Sequence, residues 1–197
     1  MDLIFLKLFD VKKSFNLIIK DKILPFNKII KVDSDKSISI RSLLIGAISQ
    51  NISYIKNILE SEDVISTIIC LKKLGIKILK KNGYFIVYGK GLGSFSAKKN
   101  MELNFGNSGT LARLIIGILS TTPDININLT GDHSLKKRSM KKLILLMSEF
   151  GASFEPKKKF NFPIKLISSK MPIGINYKAG VSAQLKSAVL LAGINSY

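Results

Sequence analysis

The sequence predicts an α/β fold (α+β in its segregation) of repeated βαβαββ units packed around helices, and three observations carry that expectation. Short alternating apolar runs, the period of strands, take turns with longer runs of helical spacing. Gly75 and Gly151 stand where two equivalent helices should close, each followed by a β-rich stretch. A small residue with a cation four positions later opens a helical run three times, as Ser37 and Arg41, Gly109 and Arg113, Ser182 and Lys186. Recurrence of one order of elements marks an internal repeat. The expected organisation is a poorly defined segment over 1–30, then repeats over about 31–100 and 101–172 and a third begun at 173–197.

Taken in order, Ile29 to Val32 reads as a strand leading into Asp35-Lys36-Ser37-Ile38-Ser39-Ile40-Arg41. A helix is expected from about Ser37 to Gln50, with Ser37 as its cap, because a serine oxygen can accept from a free N–H of the first turn. A strand over Ser53–Leu59 follows. Ser61-Glu62-Asp63 opens a second helix, its acids placed where the dipole favours them. That helix runs to Leu74 and closes at Gly75. Asn82-Gly83 between the apolar runs Ile76–Leu79 and Tyr84–Tyr88 is a hairpin signal. The order then recurs. Gly106-Asn107-Ser108-Gly109-Thr110 opens a helix to about Ser120, and Ile125–Leu129 alternates as a strand. A helix from about Ser139 to Phe150 is closed by Gly151, and Ala152 to Ile167 is β-rich. Gly174-Ile175-Asn176-Tyr177 begins the third round, with Gly180 to Lys186 opening the apolar run Ala188–Leu191.

With 46% hydrophobic residues in 197, the chain is long enough to bury a sizeable core. The net charge of +18 raises the question of a nucleic-acid partner. The cations are lysines spread along the chain without an interleaved aromatic stripe, so a solvated basic surface is expected, with no nucleic acid. Only three of the 31 basic residues are arginine, Arg41, Arg113 and Arg138. In a lysine-rich chain these positions point to a need for the planar fork that grips carboxylate and phosphate. Cys70 is the single cysteine, which excludes an internal disulfide and reads as a core thiol. No apolar run approaches the roughly 18 residues of a membrane span, and the N-terminus lacks a signal-peptide pattern. A cytoplasmic location is expected. One histidine excludes a Ser-His-Asp triad, and His133 is expected to be a polar turn residue. No P-loop and no metal-ligand spacing occurs.

Each helix start offers free N–H groups and the positive end of a dipole, which suits an anion. Lys36 at the mouth and Arg41 one turn along make the first a receptacle for phosphate or carboxylate, although a capped helix with two solvated cations has the same sequence. Three such starts on one repeat favour polyanion binding, provided that the units converge on one surface.

Asp-Lys-Ser-Ile-Ser-x-Arg (35–41), Ser-Glu-Asp-Val-Ile-Ser-Thr (61–67), Gly-Asn-Ser-Gly-Thr-x-x-Arg (106–113), Thr-Gly-Asp-x-Ser-Leu-x-x-Arg (130–138) and Ser-Ala-Gln-Leu-Lys-Ser-Ala (182–188) occur in that order. Over about residues 28–197 the chain resembles the 5-enolpyruvylshikimate-3-phosphate synthase family, in its Ser-Ala-Gln branch. The resemblance implies a two-lobed enolpyruvyl transferase fold, of which this is one incomplete lobe. It implies transfer of the enolpyruvyl group of phosphoenolpyruvate to the 5-hydroxyl of shikimate 3-phosphate, with release of phosphate and no metal or organic cofactor. By motif match, Lys36 is the catalytic-site lysine that contacts both substrates. Ser37, Arg41, Ser182, Ala183 and Gln184 bind shikimate 3-phosphate. Gly109, Arg138 and Gln184 meet phosphoenolpyruvate, and Asn107, Thr110 and Arg113 shape the loop.

Four positions depart from the family pattern. Asp33-Ser34 replaces Pro-Gly, Ile40 replaces a histidine, and Ser139 replaces a proline. Gly109 is the position that the family associates with sensitivity to glyphosate. The family's acid–base carboxylates lie in its second lobe, so the expectation is that this chain is inactive alone, with another polypeptide as a candidate source of that lobe. A non-catalytic anion-binding remnant of the same fold is the competing expectation, and a basic nucleic-acid binder is the third.

Overall fold

A computed structural model describes residues 27, 29 and 32–196, of which one compact unit begins at Asp33. The strand expected over 29–32 falls largely outside the described residues.

The first repeat comprises α1 (Lys36–Ile48), β1 (Ile52–Lys56), α2 (Glu62–Lys73), β2 (Lys77–Lys81) and β3 (Tyr84–Tyr88). The second comprises β4 (Glu102–Asn104), α3 (Gly109–Thr121), β5 (Asn126–Thr130), α4 (His133–Lys137), α5 (Lys141–Glu149), β6 (Ser153–Glu155) and β7 (Ile164–Ile167). α6 (Ala183–Asn195) opens the third. The sheets have matching topologies. β3 lies between β1 and β2, antiparallel to both, and β7 lies in the same way between β5 and β6. β4 adds a parallel edge beside β5.

Local chemistry sets the boundaries. Gly75 and Gly151 follow α2 and α5 at φ of 90° and 97°, the left-handed region that glycine enters without a Cβ clash. Asn82 and Gly83 both have positive φ, as a two-residue primed hairpin turn requires. β1 stops at Lys56, short of the expected Leu59, because Asn57 turns left-handed at φ 56° and breaks the extended ladder.

Four further expectations are corrected. The cap of α1 is Asp35, whose carboxylate accepts from Ile38 N at 2.7 Å, so that Ser37 lies inside the helix. The segment after Asp132 is two helices. Asp132 caps the short α4 through Leu135 N at 2.7 Å, and α5 starts only at Lys141. His133 is therefore the first residue of a helix and not a turn residue. Residues 174–177 form no strand, since a strand needs a ladder partner and none lies beside them among the described residues.

α3 is the axis of the unit. Every residue of it is buried except Arg113. α1, α5 and α6 pack against α3 or each other, while the two sheets cover α1, α2 and α5. Gly117 allows the closest approach, because a Cβ there would collide with the Ala188 carbonyl of α6. At the far end of α6 the buried Asn195 amide donates to Ile118 O (3.1 Å), Thr121 Oγ1 (3.2 Å) and Thr122 Oγ1 (3.1 Å), and its Oδ1 accepts from Gly93 N at 2.9 Å. This knot ties the third repeat to the other two.

Candidate functional site

Side-chain bonds draw the N-terminal ends of α1, α3 and α6 together. Arg41 in α1 donates through Nη1 to Ser37 O at 3.1 Å, the carbonyl one turn back, and through Nη2 to Ser187 Oγ of α6 at 3.3 Å. Gln184 in the first turn of α6 donates through Nε2 to Thr110 Oγ1 in the first turn of α3 at 3.0 Å. Ser108 caps α3 through Leu111 N at 3.3 Å, and Ser182 caps α6 through Leu185 N at 3.4 Å. None of these three helices carries an acid in its first turn. The serine-capped α3 and α6 therefore keep their positive dipole ends unneutralised, whereas the Asp35 carboxylate sits on that of α1.

The cations are not in strict register with the helix starts. Arg41 lies six residues beyond its cap Asp35, Arg113 five beyond Ser108, and Lys186 four beyond Ser182. The two arginines still use one device. Arg113 Nη1 donates to Gly109 O at 3.1 Å, four residues back, as Arg41 does to Ser37. Lys186 is exposed.

Gly109 lies between two guanidinium groups. A Cβ built there would be 2.7 Å from Arg113 Nη1 and 3.1 Å from Arg138 Nη1. Arg138 is the residue after α4, and its Nη2 donates to Asn107 Oδ1 at 2.8 Å, which fixes it over the loop before α3. Burial, and secondly the Arg138 charge, depress the pKa of Arg113. An arginine remains protonated at working pH all the same. Two like charges held this close would gain from an anion between them.

Lys36 stands at the edge of this surface. Its Nζ is 2.8 Å from Asp63 Oδ2 in the first turn of α2. Ser39, buried one turn into α1, donates to Asp35 O at 2.8 Å and accepts from Leu59 N at 3.0 Å, fixing the approach to α2. Ser37 is half-buried and Ala183 exposed. Ala183 offers only backbone and a methyl.

Beside Arg113 lies a cleft of about 420 Å³ between the starts of α5 and α6. Its polar lining is Arg113, Ser139, Lys141, Lys142 and Ser182. Its floor is Met140, Leu143 and Leu185. Among the described residues no group of His, Cys, Asp and Glu side chains could hold a metal ion, and no helix is long and apolar enough to cross a membrane.

Of the eleven sequence-nominated residues, Arg41, Thr110 and Gln184 join the helix starts, Arg113 bonds back to Gly109 O within α3, Gly109 lies between Arg113 and Arg138, and Asn107 is tied to Arg138. Ser182 caps α6 beside the cleft, and Lys36 is drawn toward α2. Sequence reasoning missed Asp63, Ser187, Lys141 and Lys142. Asp63 and Ser187 lie inside two of the quoted motifs and could have been nominated. The lysines carried no signal in a chain so rich in them.

The sequence model of the family described as EPSP synthase (3-phosphoshikimate 1-carboxyvinyltransferase) matches residues 20–196. The chain is 40% identical over 173 residues to the 3-phosphoshikimate 1-carboxyvinyltransferase of Syntrophomonas wolfei, covering 87% of this chain and 40% of the relative. It is 42% identical over 177 residues to that of Alkaliphilus oremlandii, covering 89% and 41%. Among solved structures, EPSP synthase from Acinetobacter baumannii superposes with a TM-score of 0.77 at 34% identity, over 85% of this chain and 38% of that one. The chain thus spans about 40% of the length of the relatives it matches.

Proposed function

Because the chain belongs to the EPSP synthase (3-phosphoshikimate 1-carboxyvinyltransferase) family, we propose that it forms the first substrate-binding lobe of an enolpyruvyl transferase acting on shikimate 3-phosphate and phosphoenolpyruvate. In that reaction the 5-oxygen of shikimate 3-phosphate bonds to the enolpyruvyl carbon. The bond from that carbon to the phosphate oxygen breaks, and phosphate leaves. Both substrates are anions, so binding and orientation fall to cations and helix N-termini.

In this reading Arg41, with Ser37, Ser182, Gln184 and the Ala183 backbone, holds shikimate 3-phosphate. Gly109 lets phosphoenolpyruvate approach between Arg113 and Arg138, and Lys36 reaches both substrates. Asn107 and Thr110 hold Arg138 and Gln184 in place. The observation that carries the reading is the joining of three helix starts by Arg41–Ser187 and Gln184–Thr110, bonds that cross from the third repeat to the first two. Proton transfer and the exclusion of water need positioned acids and a closing partner. We assign both to a second lobe outside these residues, on the same or another polypeptide, and the whole protein to the cytoplasm.

Calorimetric titration of the chain with shikimate 3-phosphate tests this. Binding that Arg41→Ala weakens by about tenfold or more, as expected for loss of a charge-assisted contact, supports the reading. No binding by a chain with native circular dichroism would leave only a remnant of the fold.

A further inference from the structure

We propose that the cleft between α3, α5 and α6 is a second anion subsite, in which Lys141 and Lys142 bind a phosphate or carboxylate group alongside Arg113 and the start of α6. The inference deepens the functional reading above and rests on it for the molecule that carries the anion. Four observations converge. The cleft, about 420 Å³, has room for more than a phosphate group, and its lining contains three cations and two serines but no carboxylate. Arg113 commits Nη1 to Gly109 O and makes no other hydrogen bond among the described residues, leaving donors free. The first turns of both α5 and α6 lack acidic residues, so neither dipole is neutralised locally. Finally, the apolar floor of Met140, Leu143 and Leu185 lowers the local dielectric, which strengthens attraction between the cations and a bound anion.

Lys141 has one competing contact, its Nζ lying 5.5 Å from the centre of the Phe160 ring. A ring at that distance attracts the ammonium without neutralising it. Lys142 and Lys141 are both exposed, so their substitution removes charge without opening the core.

The test is titration of the full chain with inorganic phosphate, followed by amide NMR and calorimetry, for the wild type and two double variants of equal charge. Lys141→Ala/Lys142→Ala removes the cleft lysines, and Lys98→Ala/Lys99→Ala removes an exposed pair elsewhere. Phosphate should shift the amides of residues 141–143 and 183–185. Its affinity should fall about tenfold or more in the first double variant, and much less in the second. Equal weakening in both, or no shift around the cleft, overturns the subsite as mere surface attraction. Phosphoenolpyruvate and shikimate 3-phosphate then compete separately against phosphate. Displacement by either names the carrier, and displacement by neither overturns a substrate subsite. Should shikimate 3-phosphate bind in an Arg41-dependent way while the cleft lysines have no effect, the subsite falls and the functional reading stands.

Discussion

Lys36 Nζ lies 2.8 Å from Asp63 Oδ2, joining the first turns of α1 and α2. The lysine side chain is 48% exposed and the aspartate 17% exposed, so the carboxylate is the more buried partner and the ammonium the more open to solvent. Asp63 thus sets where the lysine waits.

Asp63→Asn keeps the shape and removes the charge. A pair this open contributes little to stability, so the unfolding midpoint should move by only about 2–3 °C. The affinity for shikimate 3-phosphate should fall roughly tenfold, because Lys36 loses its orientation. Calorimetry beside thermal unfolding separates the two effects. A large drop in the midpoint with unchanged affinity would make Asp63 a residue of helix stability alone.

The opposite balance is expected at Asn195. Its fully buried side chain makes four hydrogen bonds, to α3 and to the loop at Gly93. Asn195→Leu fills the volume but leaves Gly93 N–H without its partner, while Ile118 C=O keeps the Thr122 N–H. Stranding buried polar groups costs about 1–3 kcal/mol each. That loss should lower the melting temperature by roughly 2–12 °C. Since the knot binds the third repeat, native-state hydrogen exchange should quicken first in α6. Exchange that rises uniformly over the chain would refute a local role.

The sequence disclosed what short-range chemistry decides. Gly75, Gly151 and the Asn82-Gly83 turn each need a left-handed backbone, and that need shows in the residue type. The cap of α1 was ambiguous because Asp35 and Ser37 are comparable cappers two residues apart, and the ladder of α1 decided for Asp35. α4 is five residues long, too short for a helical period to register. The site was legible where its motifs are contiguous. It was not legible where chains of contact cross repeats, as from Arg41 to Ser187, or where Lys141 and Lys142 reach a cleft that exists only in three dimensions.

Gly109→Ala tests the spacing of the two arginines. Alanine suits the first turn of a helix better than glycine by up to about 1 kcal/mol. Its Cβ would meet only the flexible ends of Arg113 and Arg138, so stability should change by less than about 1 kcal/mol. The guanidinium groups must move by a few tenths of an ångström or more to admit it. Phosphoenolpyruvate affinity should therefore fall by about tenfold and shikimate 3-phosphate affinity far less. Equal losses for both ligands would refute the assignment of this gap to one substrate.

Cys70 should report the integrity of the core through pH. Burial pushes its thiol up from 9.0 to about 12, with the Lys73 charge pulling weakly the other way, and Sγ lies 3.5 Å from Asn104 O. Below about pH 9 both folded and unfolded chains hold the proton, and stability owes nothing to its titration. Between about 9 and 12 the unfolded thiol ionises while the folded one does not. The unfolded state then binds fewer protons, and stability must fall as pH rises. At about pH 10.5 the cost is about 2 kcal/mol. Denaturant titrations of the wild type and Cys70→Val at about pH 7.5 and 10.5 cancel the lysine and tyrosine titrations common to both. The difference between the two proteins should shift by about that amount, in favour of the valine variant at high pH. At about pH 8 a thiol reagent should modify Cys70 only as fast as the chain opens. Modification within seconds under native conditions would show that α2 does not seal its inner face.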